Sequence, residues 1–211
     1  MLKEEFLSLL TNYTNDRQAA AQRWSEIETA YTDKQRYFHN LSHIEQMLSS
    51  LHAVKAQIDD WDTIVFAVFY HDFIYDVVRY VNENDNEDLS ADEAGNLLKE
   101  IGFVPAKIDR CRQHILATKH HKQSSDGDTN FIMDADLLIL GQPWEVYKEY
   151  MNNIRKEYEV YPDNIFYAGR THVLKNFLQT ERLFKTDYFH QRFENAAKEN
   201  IQRELEIISF S

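Results

Sequence analysis

The chain has 211 residues and a formal net charge of −12, a length that suits one helical domain with a substantial core. Only five Gly and three Pro occur, which argues against turn-rich β architecture and predicts an all-α class, a single compact multi-helix bundle over residues 1–211. The acidic balance, with no Lys/Arg-rich tract to offset it, excludes an extended nucleic-acid polymer as partner. The lone cysteine, Cys111, excludes an internal disulfide framework and fits a reducing compartment.

The N-terminal Met1-Leu-Lys-Glu-Glu runs into an amphipathic stretch and lacks the apolar core of a signal peptide, so a cytoplasmic protein is expected. Leu41, Ile44, Met47, Leu48 and Leu51 fall at helical spacing, and Ser42 with Glu45 forms a capping box at the start of that helix, which puts His43 in a first helical turn. The next helix, from Asp60 to Val78, is apolar on nearly every side and reads as the central helix, with His71 and Asp72 inside it. Its apolar run from Ile64 to Tyr75 is too short to span a bilayer.

Asn82 to Asp88 reads as a solvated loop before a helix that stops at Gly102. Pro105 opens a helix through Ile108, Cys111, Ile115 and Leu116 to Thr118-Lys-His-His121. Ser124 to Asp128 is a predicted loop, Asp134 to Leu140 a short helix ended by Gly141, and Pro143 and Pro162 each introduce a further helix. The last runs from Asp187 to Ile207, its stripe of Phe193, Ala196, Ala197, Ile201 and Leu205 suited to docking on the bundle. The total is roughly eight or nine helices.

An aspartate in an apolar helix is costly as a bare anion, so His71-Asp72 within Phe66 to Tyr75 needs compensation. Either the two form a hydrogen-bonded core pair, or both bind a cation that satisfies carboxylate and imidazole together. In Arg36-Tyr-Phe-His-Asn-Leu-Ser-His43, two histidines four apart at a loop-to-helix junction can face the same way, or simply be polar surface. In Met133-Asp-Ala-Asp-Leu-Leu, Asp134 reads as an N-cap, a role that fits Asp136 less well.

Taken in order, His43, His71-Asp72 and Asp136 resemble the HD superfamily of metal-dependent phosphohydrolases. Phe38-His39-Asn40-Leu41-Ser42-His43 is similar to the signature of cyclic-nucleotide phosphodiesterases, in which the first His donates a proton and the second binds metal. Ala135-Asp136-Leu137 matches their closing segment and favours Asp136 over Asp134. The chain as a whole looks most like a bacterial group of stand-alone predicted HD phosphohydrolases.

The resemblance implies one divalent ion, Mn, Fe, Co, Ni, Zn or Mg, held by His43, His71, Asp72 and Asp136. A second ion would fall near His120 and His121, although Tyr75 stands where cyclic-nucleotide enzymes carry a further His, so their two-metal arrangement does not transfer directly. The implied reaction is hydrolysis of a small phosphorylated substrate, a nucleotide first among the candidates, by water activated at the ion. His39 would be the proton donor and Asp72 or Asp136 would orient the water. Arg36, Lys119, Lys122 and Arg170 are candidate phosphate contacts. Two other readings stay open: a di-iron oxygenase built on the same core ligands, and a nucleotide-sensing module without turnover.

Overall fold

The apolar run that dominates the sequence becomes the axis around which the other helices pack. The computed structural model describes residues 2–78 and 86–210, all-helical with no strand among them. Ten α-helices follow in order: α1 Leu2–Thr11, α2 Arg17–Tyr31, α3 Leu41–His52, α4 Trp61–Tyr70, α5 Asn86–Glu100, α6 Pro105–Ala117, α7 Gly127–Asp136, α8 Trp144–Glu157, α9 Asp163–Gln179 and α10 Asp187–Ser209. Short 3-10 turns lie at Lys55–Gln57 and Leu137–Gly141. Among the described residues no helix is long and apolar enough to cross a membrane.

Every residue of α4 from Thr63 to Tyr70 is buried, and α3, α5, α6 and α7 all touch this helix. Each large side chain so enclosed contributes about 1.5–3 kcal/mol of burial. Phe6 and Trp24 reach Phe69 from α1 and α2, closing the core on the N-terminal side.

Several boundaries differ from those expected. The central helix ends at Tyr70, with His71 as its C-cap, rather than continuing to Val78. Side chains take over the backbone groups that the helix would have paired: Arg36 donates to the carbonyls of Asp72 (2.6 Å) and Phe73 (2.9 Å), Tyr31 Oη accepts from Asp72 N (3.2 Å), and Ser90 Oγ accepts from Ile74 N (3.0 Å). The predicted loop at Asn82 to Asp88 lies partly outside the described residues. Its last three residues form the first turn of α5, where Glu87 and Asp88 favour the positive end of the helix dipole. The cap of α3 is Asn40, whose side chain accepts from Ser42 N (2.9 Å), in place of a box built on Ser42.

The largest shift concerns α7, which starts at Gly127 on the Asp126 cap, whose carboxylate accepts from Asp128 N and Thr129 N. Asp134 therefore lies in the last turn and caps nothing of its own helix. Its buried carboxylate accepts from Lys185 N (2.6 Å), Thr186 N (2.8 Å) and Thr186 Oγ1 (2.7 Å), tying the segment before α10 to the bundle. The docking of α10 is as expected from its stripe, and Asn200 Nδ2 adds bonds to the carbonyls of Leu140 and Gln142.

At Gly141 the backbone of α10 comes so close that an added Cβ would stand 2.6 Å from Phe193 Cβ and 2.9 Å from its carbonyl oxygen. Gly141→Ala is expected to cost about 1–3 kcal/mol, because backbone cannot move aside as a flexible side chain would. Gly169→Ala, in α9 with nothing within 4 Å of the added carbon, should stabilise by about 0.5–1 kcal/mol. Thermal melts of the two variants check both signs.

Candidate metal centre

Three segments remote in sequence bring their donor atoms to one point. His43 enters from the first turn of α3, His71 and Asp72 from the end of α4, and Asp136 from the end of α7. His43 Nε2 lies 3.2 Å from His71 Nε2 and 3.1 Å from Asp136 Oδ1, while His71 Nε2 lies 3.1 Å from Asp72 Oδ2 and 3.8 Å from Asp136 Oδ1. The donor atoms of His43, His71 and Asp72 all fall within 4.8 Å of one another, and Asp136 Oδ1 lies within 3.8 Å of both imidazole Nε2 atoms.

The donor set fits a divalent cation. Atoms about 2.1 Å from a shared ion stand roughly 3.0–3.4 Å apart, depending on octahedral or tetrahedral arrangement, which is close to the separations here. His71 Nδ1 lies 2.8 Å from the Val68 carbonyl, so it carries a proton and leaves Nε2 facing the other donors, the outer hydrogen bond that commonly orients a ligating histidine. Both histidines are almost fully buried, whereas Asp72 and Asp136 keep 14% and 16% of their side-chain surface exposed. The site is thus closed below by imidazoles and open at the carboxylates.

Electrostatics within the cluster show what a bound cation would supply. Burial lowers the His71 pKa, but the adjacent Asp72 carboxylate outweighs it and the value rises to about 9. Burial raises Asp72, and the His71 charge then holds it well below its ordinary range. Asp136 is likewise held low, burial being outweighed by hydrogen bonds from His121 and His43, while burial lowers His43 itself. The anions thus borrow a proton as their counter-charge, a task a bound cation would take over.

His39 lies beside this group, its ring centroid 5.8 Å from that of His43 and stacked on Tyr75 at 4.4 Å. The residue that controls it was not foreseen from sequence. Glu157, the last residue of α8, is buried and accepts from Phe38 N (2.7 Å), His39 N (2.9 Å), His39 Nδ1 (2.6 Å) and Tyr75 Oη (2.9 Å). Burial lowers the His39 pKa, but Glu157 outweighs it and raises it; burial raises Glu157, and His39 outweighs that in turn. The signal that could have found it is a carboxylate at a helix C-terminus, which faces the negative end of the dipole and calls for a partner.

The residues expected to hold phosphate or a second ion are placed differently. Arg36 spends its guanidinium on backbone carbonyls and lies over the Tyr31 and Tyr75 rings. Arg170 is paired through Nε and Nη2 with Glu204, at 2.7 and 2.9 Å, and lies over Tyr150. Lys119 Nζ is 3.5 Å from Asp88, and Lys122 and His120 are exposed. His121 does reach the centre, with Nε2 2.8 Å from Asp136 Oδ2.

A second group, His114 with Asp126 and Asp128, also has donor atoms within 4.8 Å. Its charge is already met by Arg110, whose Nε lies 2.7 Å from Asp126 Oδ2 and Nη2 3.0 Å from Asp128 Oδ2. Asp128 further accepts from Asp59 N and Asp60 N, so this group ties α6, α7 and the start of α4 together.

The fold and site therefore define an all-α protein with His/Asp groups that could hold a metal ion. No family model, curated protein or solved structure matches the chain. The likeness to the HD superfamily rests on the motif residues alone.

Proposed function

We propose that the chain binds one divalent ion through His43, His71, Asp72 and Asp136 and hydrolyses a small phosphorylated substrate, a nucleotide being the leading candidate. The observation that carries this reading is the convergence of those four side chains from three helix ends, with His71 3.1–3.8 Å from each of the other three and His43 3.1 Å from Asp136. A divalent ion there would lower the pKa of a water and offset phosphoryl charge.

The protein's own groups supply the rest. Asp72 and Asp136 stand at the open side of the centre, where a carboxylate oxygen can orient water. His39 in its protonated form commits Nδ1–H to Glu157, which leaves Nε2–H as the transferable proton for a leaving oxygen. With Arg36 and Arg170 committed elsewhere, His39, which Glu157 favours in its protonated form, is the partly exposed cationic side chain beside the centre that would meet an incoming phosphate.

The test is turnover. Protein stripped with chelator and reloaded singly with Mn, Fe, Co, Ni, Zn or Mg should release phosphate from nucleoside monophosphates or open a phosphodiester, and chelator should abolish it. Absence of turnover with every metal overturns the hydrolase reading. Oxygen uptake by the iron-loaded form alone would replace it with an oxygenase.

A further inference from the structure

We propose that His121 is a positioning residue for Asp136: its imidazole holds Oδ2 so that Oδ1 alone is presented to His43 and His71. The inference rests on the metal-centre reading above and assigns His121 a task other than ligating a second ion.

Two independent observations support it. The first is in the backbone, where His121 has φ of +49°, the one positive value outside glycine among the described residues. The left-handed region crowds Cβ against the following carbonyl, and a chain leaving a helix this way ordinarily uses Gly or Asn. Here the chain leaves α6 with His121 N bonded to the Ala117 carbonyl at 3.0 Å, and a histidine stands at the strained position. Such outliers persist where the side chain is needed.

The second observation is the division of the carboxylate. Oδ2 of Asp136 lies 2.8 Å from His121 Nε2, and Oδ1 lies 3.1 Å from His43 Nε2. The Phe177 ring of α9 meets the His121 ring edge-on, centroids 6.3 Å apart. A second ion would need further donors around His121, and the contacts that place its ring are the Asp136 carboxylate and the Phe177 ring, which is no metal ligand. With Oδ2 held, Asp136 would offer a bound ion one oxygen, and water and substrate could take the remaining positions, as hydrolytic sites require.

Cobalt(II) provides the test, because its visible spectrum reports coordination and its stoichiometry can be counted. The parent should bind one Co²⁺ per chain. His121→Asn accepts the left-handed backbone but is too short to reach Oδ2, and should still bind one Co²⁺, about 10–100-fold more weakly and with an altered spectrum. His121→Gln, whose amide reaches further, should recover most of the affinity and the parental spectrum. Metal-free His121→Asn and His121→Gly should melt no lower than the parent, which separates loss of positioning from loss of fold.

Two ions in the parent and one in the variants would make His121 a ligand of a second ion and overturn the proposal. Equal affinity and spectrum in His121→Asn would make it a bystander and sink the proposal while leaving the metal centre standing. A parent that takes up no Co²⁺ overturns both.

Discussion

Asp136→Ala is expected to abolish stoichiometric binding of a divalent ion and, with it, any metal-dependent turnover. The side chain is the α7 carboxylate that faces both imidazoles, with Oδ1 3.1 Å from His43 Nε2 and 3.8 Å from His71 Nε2. Its loss should exceed the roughly 10–100-fold weakening seen when an outer partner of a ligand is removed. Binding to the folded state alone stabilises by about 2.7 kcal/mol at 100-fold excess over Kd. For a chain of this size that raises the parental Tm by roughly 5–10 °C. The variant should show no rise.

His71→Ala and Asp72→Ala should behave in the same way. Asp126→Ala, at the cluster already neutralised by Arg110, should keep the ion while losing the cap of α7, at a cost of about 1–2 kcal/mol. Mass-spectrometric metal content and melts with and without chelator measure all four. An Asp136→Ala protein that retained one ion and a metal-dependent Tm would place the ion elsewhere and remove the basis of the hydrolase reading.

The helical class, the central apolar segment and the proline-led helices were legible because composition and 3.6-residue periodicity act locally. The end of α4 was not, since nothing within Phe66 to Val78 breaks a helix. It stops because Arg36, Tyr31 and Ser90, distant in sequence, satisfy its backbone groups instead. The same held for Asp134: its position before an apolar turn looks like a cap, while its partners are 51 and 52 residues away. The four residues proposed as ligands were recognisable by type and order, and the structure brings them together. Arg36 and Arg170 show the converse, because a guanidinium's chemistry suits phosphate and buried carbonyls or carboxylates equally well, and only the fold decides which it meets. His121 and Glu157 became interpretable through geometry, in one case a left-handed backbone and in the other four donors converging on one carboxylate.

Glu157→Ala should produce the largest stability loss of any single substitution near the centre, about 3–5 kcal/mol, a substantial share of the roughly 5–15 kcal/mol that holds a domain folded. The carboxylate satisfies two backbone N–H groups, one imidazole and one phenol, so truncation leaves a cluster of donors without an acceptor. Glu157→Gln separates the structural role from the electrostatic one. Its amide oxygen can still accept from the Phe38–His39 backbone, while the charge that supports a protonated His39 is gone. Burial, then opposed only by the Asp72 and Asp136 charges, lowers the His39 pKa relative to the parent, and the basic limb of the turnover profile should move to lower pH with a smaller loss of stability. The pair's own contribution has a defined window. The raised His39 pKa gives stability fully present below its ordinary 6.5 and lost as pH rises through the folded value. The lowered Glu157 pKa gives stability present above its ordinary 4.5 and lost as pH falls through the folded value. The stability difference between parent and Glu157→Gln should therefore be greatest between about pH 4.5 and 6.5 and narrow on either side. A Glu157→Gln protein with the parental pH–rate profile would show that His39 does not depend on this carboxylate, and an unchanged Tm in Glu157→Ala would show that the Phe38–His39 segment is held by something else.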